Sequence, residues 1–218
     1  MNCSVSHVSK KLKGSLVLDD VSVTFPEGRV TGLMGVNGSG KTMLLRVIAG
    51  LMAPDSGTVL IDGKALFRDI SFPPDVGVLI ENPAFLDSYS GLDNLMLLAG
   101  IRGKIRKREV VAVLERVGLS DSINKKFQKY SLGMKQRLGI AAAVMERPDL
   151  ILLDEPTNAL DESGVAMLEG ILRDERKRGA TIVVASHDKL FVEETCDRIV
   201  RMGEGRVVGA SQVGDRDA

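Results

Sequence analysis

A glycine-rich stretch at residues 35–42 has the composition and spacing of a phosphate-binding loop. It reads Gly-Val-Asn-Gly-Ser-Gly-Lys-Thr. Because glycine has no side chain, successive backbone N–H groups of such a loop can turn inward on an anion, and a following helix adds its dipole. We expect Lys41 to reach the β- and γ-phosphates of a nucleotide and the Thr42 hydroxyl to bind Mg²⁺. The residues predicted to contact the nucleotide here are Gly35, Asn37, Gly38, Ser39, Gly40, Lys41 and Thr42.

Two acidic residues follow the apolar run at residues 150–153, which is predicted to be a buried strand. Asp154 and Glu155 would then lie just past the carboxyl end of that strand, where ligands gather in open α/β sheets. Asp154 suits Mg²⁺ held through water, and Glu155 suits polarisation of the attacking water in phosphoryl transfer. The alternative is a strand that ends in two solvated acids. The glycine-rich loop upstream favours the catalytic interpretation.

A histidine follows a second apolar run, at residues 181–185. His187 would therefore also lie at the carboxyl end of a strand, where its imidazole could donate to a γ-phosphate oxygen. A single histidine is more often an ordinary surface or core residue. Position alone does not assign it a catalytic role.

The hydrophobic pattern predicts the elements that position these residues. A strand at residues 30–34 leads into the glycine-rich loop, and a helix at residues 43–49 follows the loop and ends at Gly50. Residues 16–25 are predicted to form a strand that enters the loop strand through a hairpin-like turn at residues 26–28. Further elements are an edge strand at residues 58–61, a strand at residues 76–80, and a hairpin at residues 198–208.

Helical periodicity replaces this pattern between residues 85 and 143. Beyond it, a helical stretch at residues 165–178 separates the two apolar runs, which predicts a right-handed parallel crossover. We therefore expect an α/β fold with a mixed sheet flanked by helices. Residues 1–218 would form one domain, with a catalytic core at about residues 1–84 and 144–218 and an inserted helical subdomain at about residues 85–143.

The composition excludes several classes of protein. The chain has 218 residues, of which 44% are hydrophobic, enough for a substantial core. Its 29 basic residues balance 29 acidic ones, so no nucleic-acid partner is expected. Cys3 and Cys196 are too few for a disulfide framework or a zinc site. No signal-peptide pattern and no apolar run of about 18 residues is present, so we predict a cytoplasmic protein.

Two further runs carry a resemblance to a known family. Residues 130–137 read Tyr-Ser-Leu-Gly-Met-Lys-Gln-Arg, and residues 154–161 read Asp-Glu-Pro-Thr-Asn-Ala-Leu-Asp. With the glycine-rich loop, they resemble the ATP-binding subunits of ABC transporters over nearly the whole chain. The resemblance implies a P-loop NTPase core with an antiparallel N-terminal subdomain that binds ATP and Mg²⁺ and hydrolyses ATP. It also implies an integral membrane permease as partner, a homodimer or heterodimer of ATPase subunits, and a peripheral position on the inner face of the cell membrane.

The resemblance also implies roles for single residues. Ser131 and Gly133 would belong to the family signature loop, which closes on the nucleotide held by the other subunit. Ser131 is also a good helix N-cap, so an ordinary capped helix is the alternative. Asp161 would lie in the loop that communicates across the dimer, and His187 would be the family's switch histidine.

Three features depart from the commonest family pattern. The signature run has Leu132 and Met134 where the family usually has glycine and glutamine. Glu81 falls where most members place the glutamine that touches Mg²⁺ and senses the membrane partner. Both features are similar to the bacitracin and lantibiotic self-protection exporters, so a peptide antibiotic is the favoured cargo. Leu12 aligns with the aromatic residue that usually stacks on adenine, so apolar contact is expected to replace stacking there.

Two other functions compete with this interpretation. The first is a soluble ABC ATPase that acts in iron–sulfur cluster assembly or a similar role. Repair and translation types are disfavoured because they would need a long coiled-coil insertion or a second cassette. The second is a nucleotide-binding regulator without hydrolysis, which the presence of both Glu155 and His187 disfavours.

Overall fold

The computed structural model describes residues 1–81 and 84–213 of the chain. Residues 82–83 and 214–218, which belong to the predicted domain, lie outside the described residues. The strands of the described part are β1 (Cys3–Leu12), β2 (Ser15–Phe25), β3 (Val30–Met34), β4 (Ser56–Ile61), β5 (Lys64–Ala65), β6 (Val76–Leu79), β7 (Leu150–Asp154), β8 (Thr181–Ser186), β9 (Arg198–Gly203) and β10 (Arg206–Gln212). The α-helices are α1 (Lys41–Ile48), α2 (Gly91–Arg102), α3 (Lys107–Arg116), α4 (Leu132–Val144), α5 (Glu162–Lys177) and α6 (Lys189–Thr195). Short 3-10 helices lie at Ser120–Ser122 and Phe127–Lys129.

The larger sheet has the strand order β10-β9-β3-β8-β7-β6. Its pairings are parallel except for the antiparallel pair of β9 and β10. Every residue of β7 and β8 is buried, as expected for parallel strands that are covered on both faces. The predicted strands at residues 30–34, 76–80, 150–153 and 181–185 are confirmed, as is the final hairpin. The helix α5 connects β7 to the parallel neighbour β8, which confirms the predicted crossover connection.

The carboxyl ends of the three central strands lie at the same level. In the register of the sheet, Met34 at the end of β3 pairs with Ser186 at the end of β8. Asp154 at the end of β7 pairs with Ala185. The loops that follow these three strands therefore start side by side at one edge of the sheet.

The smaller sheet corrects two predictions. Its order is β2-β1-β4-β5, so the strand at residues 16–25 pairs with β1 rather than forming a hairpin with the loop strand. The real hairpin turns at Lys13 and Gly14, both of which have a positive φ. Register shifts between Val5 and Val8 interrupt the pairing of β1. They disturb the alternation of apolar and polar residues by which a strand is predicted, so the sequence pattern does not predict β1. The strand β4 lies between β1 and β5, so it is not an edge strand.

Two apolar clusters cover the opposite faces of the larger sheet. One contains Ile151 and Leu153 of β7 together with buried residues of α2, α3, α4 and α5. The other contains Leu150 and Leu152 of the same strand together with buried residues of α1, β1 and β2. Since side chains alternate along a strand, the two clusters lie on different faces. The helices of residues 85–143 share one cluster with the sheet, so a boundary between subdomains stays a prediction.

The helix α4 lies very close to the edge strand β6. A Cβ atom added at Gly77 would lie 1.7 Å from the carbonyl oxygen of Ala143, which no side chain can tolerate. The helical periodicity predicted for residues 85–143 is confirmed by the burial of Leu95 on α2 and Leu114 on α3. Ser90 begins α2 with a capping box, in which its hydroxyl accepts from Asp93 N–H at 3.0 Å.

Both cysteines are deeply buried. Burial, with the nearby charge of Asp62, raises the pKa of the Cys3 thiol to about 12. Burial also raises the pKa of Cys196 to about 12, with a smaller contribution from Asp197. None of the helices in the described part of the chain combines the length and hydrophobicity that a membrane crossing needs.

A buried carboxylate ties the helical region to the sheet core. Glu175 of α5 is only 3% exposed, and its Oε1 accepts from Arg116 NH1 of α3 at 2.8 Å. Its other oxygen accepts from Arg178, whose guanidinium also donates to the carbonyl of Pro148, just before β7. Glu175 therefore holds two arginines from different parts of the chain.

We expect Glu175→Ala to lower the free energy of unfolding by roughly 3 kcal/mol, because it removes the buried carboxylate that two partly buried guanidinium groups share. Asp174→Ala is the matched control: Asp174 also pairs with Arg116, but its side chain is 61% exposed, so its loss should cost less than about 1 kcal/mol. Urea unfolding followed by circular dichroism measures both changes. Equal losses in the two variants would contradict the structural role of Glu175.

Candidate active site

The glycine-rich loop joins the end of β3 to the start of α1. Gly40 has a φ of 100° and directly precedes Lys41, the first residue of α1. A Cβ atom at Gly35 would lie 2.4 Å from the carbonyl oxygen of Met202, so the loop path requires glycine there. The Ser39 hydroxyl is buried and has no hydrogen-bond partner among the described residues. Free N–H groups at the start of α1 complete a site suited to an anion.

The Lys41 side chain lies over this loop. Its Nζ donates to the carbonyl oxygen of Gly35 at 2.6 Å and approaches that of Val36 at 3.4 Å. The same Nζ lies 3.8 Å from Glu155 Oε1. The side chain is 6% exposed, so this ammonium is held between the loop and the carboxylate with little contact with solvent.

Thr42 and Asp154 form the next contact. The Thr42 hydroxyl donates to Asp154 Oδ2 at 2.7 Å, whereas Oδ1 is buried without a partner among the described residues. Burial raises the pKa of Asp154 above its ordinary value, and the negative charges of Glu155 and Glu81 add to this rise. The Thr42 hydrogen bond and the charge of Lys41 act in the opposite direction. An unpaired, buried carboxylate oxygen beside a hydroxyl fits a divalent cation such as Mg²⁺.

Glu155 is fixed by its backbone as well as its side chain. It is the first residue after β7 and has a φ of 46°, a conformation that costs a non-glycine residue about 1–3 kcal/mol and is typical of functional sites. Its N–H donates to the carbonyl of Ala185 at 2.8 Å. Its Oε2 lies 2.8 Å from Nδ1 of the exposed His187 ring. Glu155 therefore contacts both Lys41 and His187.

A cavity of about 480 Å³ opens beside the loop. Leu12, Val17 and Met43 form an apolar wall, and Glu155 and Glu81 lie at the polar side. None of the described residues that line the cavity is aromatic, and the role of Leu12 against a base stays a prediction. The residues of the loop that line it are Asn37, Gly38, Ser39, Gly40, Lys41 and Thr42.

Glu81 lines this cavity but is paired elsewhere. Its Oε1 accepts from the guanidinium of Arg46, which belongs to the last turn of α1. Glu81 has a φ of 61° and a side chain that is 58% exposed. The structure therefore places it near the predicted metal ligands with its carboxylate bound to a cation of the protein.

Ser131 and Gly133 lie apart from this cavity, at the start of α4. Ser131 caps the helix, because its Oγ accepts from Met134 N–H at 3.2 Å. A Cβ atom at Gly133 would lie 2.8 Å from the carbonyl oxygen of Ala159, in the segment that follows Glu155. Neither Ser131 nor Gly133 is among the residues that line the cavity of their own chain. A role for them against a second chain stays a prediction.

Three residues at the site had no role in the sequence analysis. Gln136 Nε2 donates to the carbonyl of Pro156 at 3.0 Å and approaches that of Glu155 at 3.3 Å. Arg137 NH2 approaches Asp161 Oδ1 at 3.1 Å. Gln136 and Arg137 belong to the run that carried the family resemblance, which was the available signal. Val17 has no such signal, since its place in the cavity depends on the register of β2.

Comparison with known proteins gives the following relatives. The family model described as "ABC transporter" matches residues 18–158. An uncharacterized ABC transporter ATP-binding protein of Bacillus subtilis, YybJ, is 47% identical over 96% of both chains. The bacitracin transport ATP-binding protein BcrA of Enterococcus faecalis is 39% identical over 93% of this chain and 66% of its own. The lantibiotic transport ATP-binding protein SrtF of Streptococcus pyogenes is 32% identical over 94% of this chain and 88% of its own.

Solved structures give the same picture. An ATP-binding subunit of an ABC transporter superposes with a TM-score of 0.90 at 26% identity, over 99% of this chain and 91% of its own. A dimeric ATP-binding cassette, solved in a post-hydrolysis state with ADP and phosphate bound, superposes with a TM-score of 0.86 at 26% identity, over 97% of this chain and 98% of its own. The predicted fold class is confirmed.

The buried Asp154 generates a prediction on stability without nucleotide or metal. The pKa of Asp154 is raised above its ordinary value of 3.8 in the folded chain. At pH values above 3.8, the carboxyl of the folded state is therefore protonated in a larger fraction of molecules than that of the unfolded state. The free energy of unfolding of the wild type therefore falls as the pH increases through this interval. We expect Asp154→Asn to be more stable than the wild type, by a margin that grows as the pH rises above about 4.

Denaturant unfolding of both proteins in chelator at several pH values measures this margin. Asp121→Asn, a change of the same chemistry at an exposed position, should show no such trend. A margin for Asp154→Asn that is independent of pH would contradict the electrostatic cost assigned to Asp154.

Proposed function

The chain belongs to the ABC transporter family, and we propose that it is the ATP-hydrolysing subunit that powers a separate integral membrane permease. The observation that carries the proposal is the line of contacts from the loop through Lys41 and Glu155 to His187. It places a cation, a carboxylate and an imidazole beside a loop whose N–H groups suit phosphate. Such a set serves phosphoryl transfer to water, in which positioning and electrostatic stabilisation supply most of the rate.

Each residue has a distinct task in this reaction. Lys41 leaves the loop carbonyls for the β- and γ-phosphates, where its charge offsets that of the equatorial oxygens. Glu155 accepts a hydrogen bond from the attacking water and so orients it toward the γ-phosphate. His187, already within hydrogen-bond distance of Glu155, donates to a γ-phosphate oxygen through its ring. The contacts of Glu155 with Lys41 and His187 thus link the groups that bind phosphate to the group that orients the attacking water.

The metal ligands are Thr42 and Asp154, with Glu81 as a third candidate. The unpaired Asp154 Oδ1 would be available to hold Mg²⁺ through water, since it has no hydrogen bond to give up among the described residues. Bound Mg²⁺ supplies charge neutralisation at the β- and γ-phosphate oxygens.

Two chains are needed for a complete site in this proposal. Ser131 and Gly133 begin α4 at a place where its free N–H groups can meet the nucleotide of the other subunit. The dimeric cassette to which the chain is similar supports an assembly of two ATPase subunits. Asp161, which caps α5 and contacts Arg137, would relay between the two sites. The partner subunit is a second copy of the chain or a related chain.

The permease partner gives the subunit its location. The family supports a chain on the cytoplasmic face of the membrane that reaches it through the permease. An apolar groove between α1, α2 and α4 offers a surface for a permease segment and includes Leu51, Phe85 and Leu98. Glu81 lies at the end of this groove and so connects it to the nucleotide cavity.

The proposed cargo is a peptide antibiotic. The relatives named for bacitracin and lantibiotic transport support it, as does Glu81 at the position where a glutamine is usual. None of the relatives reported above is described as a protein of iron–sulfur cluster assembly. The proposed cargo is tested by the resistance of cells that express the chain together with its permease.

We expect Lys41→Ala to weaken binding of ATP by roughly 10- to 100-fold, because one charge-assisted hydrogen bond to phosphate is worth about 1.5–3 kcal/mol. The fold should persist, because the Lys41 side chain contacts the loop rather than either apolar cluster. Nucleotide titration with circular dichroism as a folding check measures both. Lys107→Ala on the exposed start of α3 is the control, and an unchanged affinity in Lys41→Ala would refute the phosphate-loop assignment.

We expect Glu155→Gln to bind ATP normally, to lower turnover by at least about 100-fold, and to accumulate as an ATP-bound dimer. The amide keeps the shape of the side chain but cannot polarise water. Size-exclusion chromatography with ATP detects the dimer, and phosphate release measures turnover. Adding Ser131→Arg should abolish that dimer, because it places bulk where the second nucleotide binds. A normal dimer in the double variant would refute the head-to-tail arrangement.

A further inference from the structure

One ion pair lies at the boundary between two cavities. Arg46 of α1 donates to Glu81, which follows β6 by two residues. Glu81 lines both the nucleotide cavity and the apolar groove, whereas Arg46 lines the groove but not the nucleotide cavity. The carboxylate is therefore held on the groove side of the boundary.

The predicted metal ligands lie one helical turn away. Thr42 and Arg46 are four residues apart on α1, so they occupy the same face of that helix, about 5–6 Å from each other along it. The contact of Thr42 with Asp154 and the contact of Arg46 with Glu81 thus lie about one turn apart along α1. Two cationic groups, one from the protein and one from the metal, can compete for one carboxylate.

The pair is exposed enough to be exchanged. The side chains of Arg46 and Glu81 are 29% and 58% exposed, and ion pairs of such exposure contribute little to stability. A divalent cation attracts a carboxylate more strongly than a guanidinium does at the same distance, since the Coulomb energy scales with charge. The contact of Arg46 with Glu81 is therefore weak enough to be exchanged for a contact with a more highly charged cation.

We infer that Arg46 is a positioning residue, which retains the Glu81 carboxylate in the groove and competes with Mg²⁺ for it. This inference rests on the proposed function, because it takes the Mg²⁺-nucleotide complex as the competitor. Arg46 touches no reacting atom; it sets how much Mg²⁺ is needed to bring Glu81 to the metal site.

The test is a Mg²⁺ titration of binding of a fluorescent, non-hydrolysable ATP analogue, which reads binding rather than turnover. Arg46→Met removes the charge and keeps the aliphatic stem. We expect it to lower the Mg²⁺ concentration at half-saturation by about two- to fivefold, the range that an exposed ion pair allows. Arg46→Lys keeps a positive charge and should stay near the wild-type value. Arg108→Met, on α3, is the matched control, since no residue of α3 lines either cavity in the described part of the chain.

The double variant makes the test specific. Glu81→Gln should raise the Mg²⁺ concentration at half-saturation, and Arg46→Met should add no change in that background. An unchanged midpoint in Arg46→Met, or an equal shift with and without Glu81, would overturn the inference. Failure of the proposed function is a different result, because the wild type would then show no Mg²⁺-dependent binding of the analogue.

Discussion

The site depends on one constraint, which is that three parallel strands of the larger sheet end at the same edge. Because β3, β7 and β8 pair in a register that brings Met34 beside Ser186 and Asp154 beside Ala185, the loops after them begin at the same edge. Each loop then contributes a different chemical group: backbone N–H donors and Lys41, a carboxylate, or an imidazole. A slip of one residue between β7 and β8 would turn every side chain of one strand to the other face of the sheet and separate Glu155 from His187.

Glu155 is held from three directions. Its N–H is bound to β8, its carbonyl is close to Gln136 of α4, and its side chain meets His187 and Lys41. These contacts maintain the unusual backbone conformation of Glu155. Gln136 lies on α4, so this helix is hydrogen-bonded directly to the backbone at Glu155 and Pro156.

Sequence reasoning succeeded where local chemistry determines structure. The continuous apolar runs matched buried parallel strands. The loop needs glycine at Gly35 because a Cβ has no space there, and at Gly38 and Gly40 because their φ is positive. It failed where distant segments meet. The irregular pairing of β1 hid a ten-residue strand, and the register of β2 decided that Val17 lines the cavity. The contact of Arg46 with Glu81 joins residues 35 positions apart, and no spacing in the sequence predicts it.

The two buried thiols have a practical consequence for measurements on this protein. Burial raises the pKa of both Cys3 and Cys196 to about 12, so very little of either thiol is ionised at neutral pH, and the thiolate is the nucleophile that reacts with alkylating reagents. Maleimide dyes and spin labels should therefore pass over both native cysteines in the folded chain. A single cysteine introduced on the surface becomes a unique attachment point. The wild-type sequence thus serves directly as the background for fluorescence or electron spin resonance studies of how its parts move during a turnover.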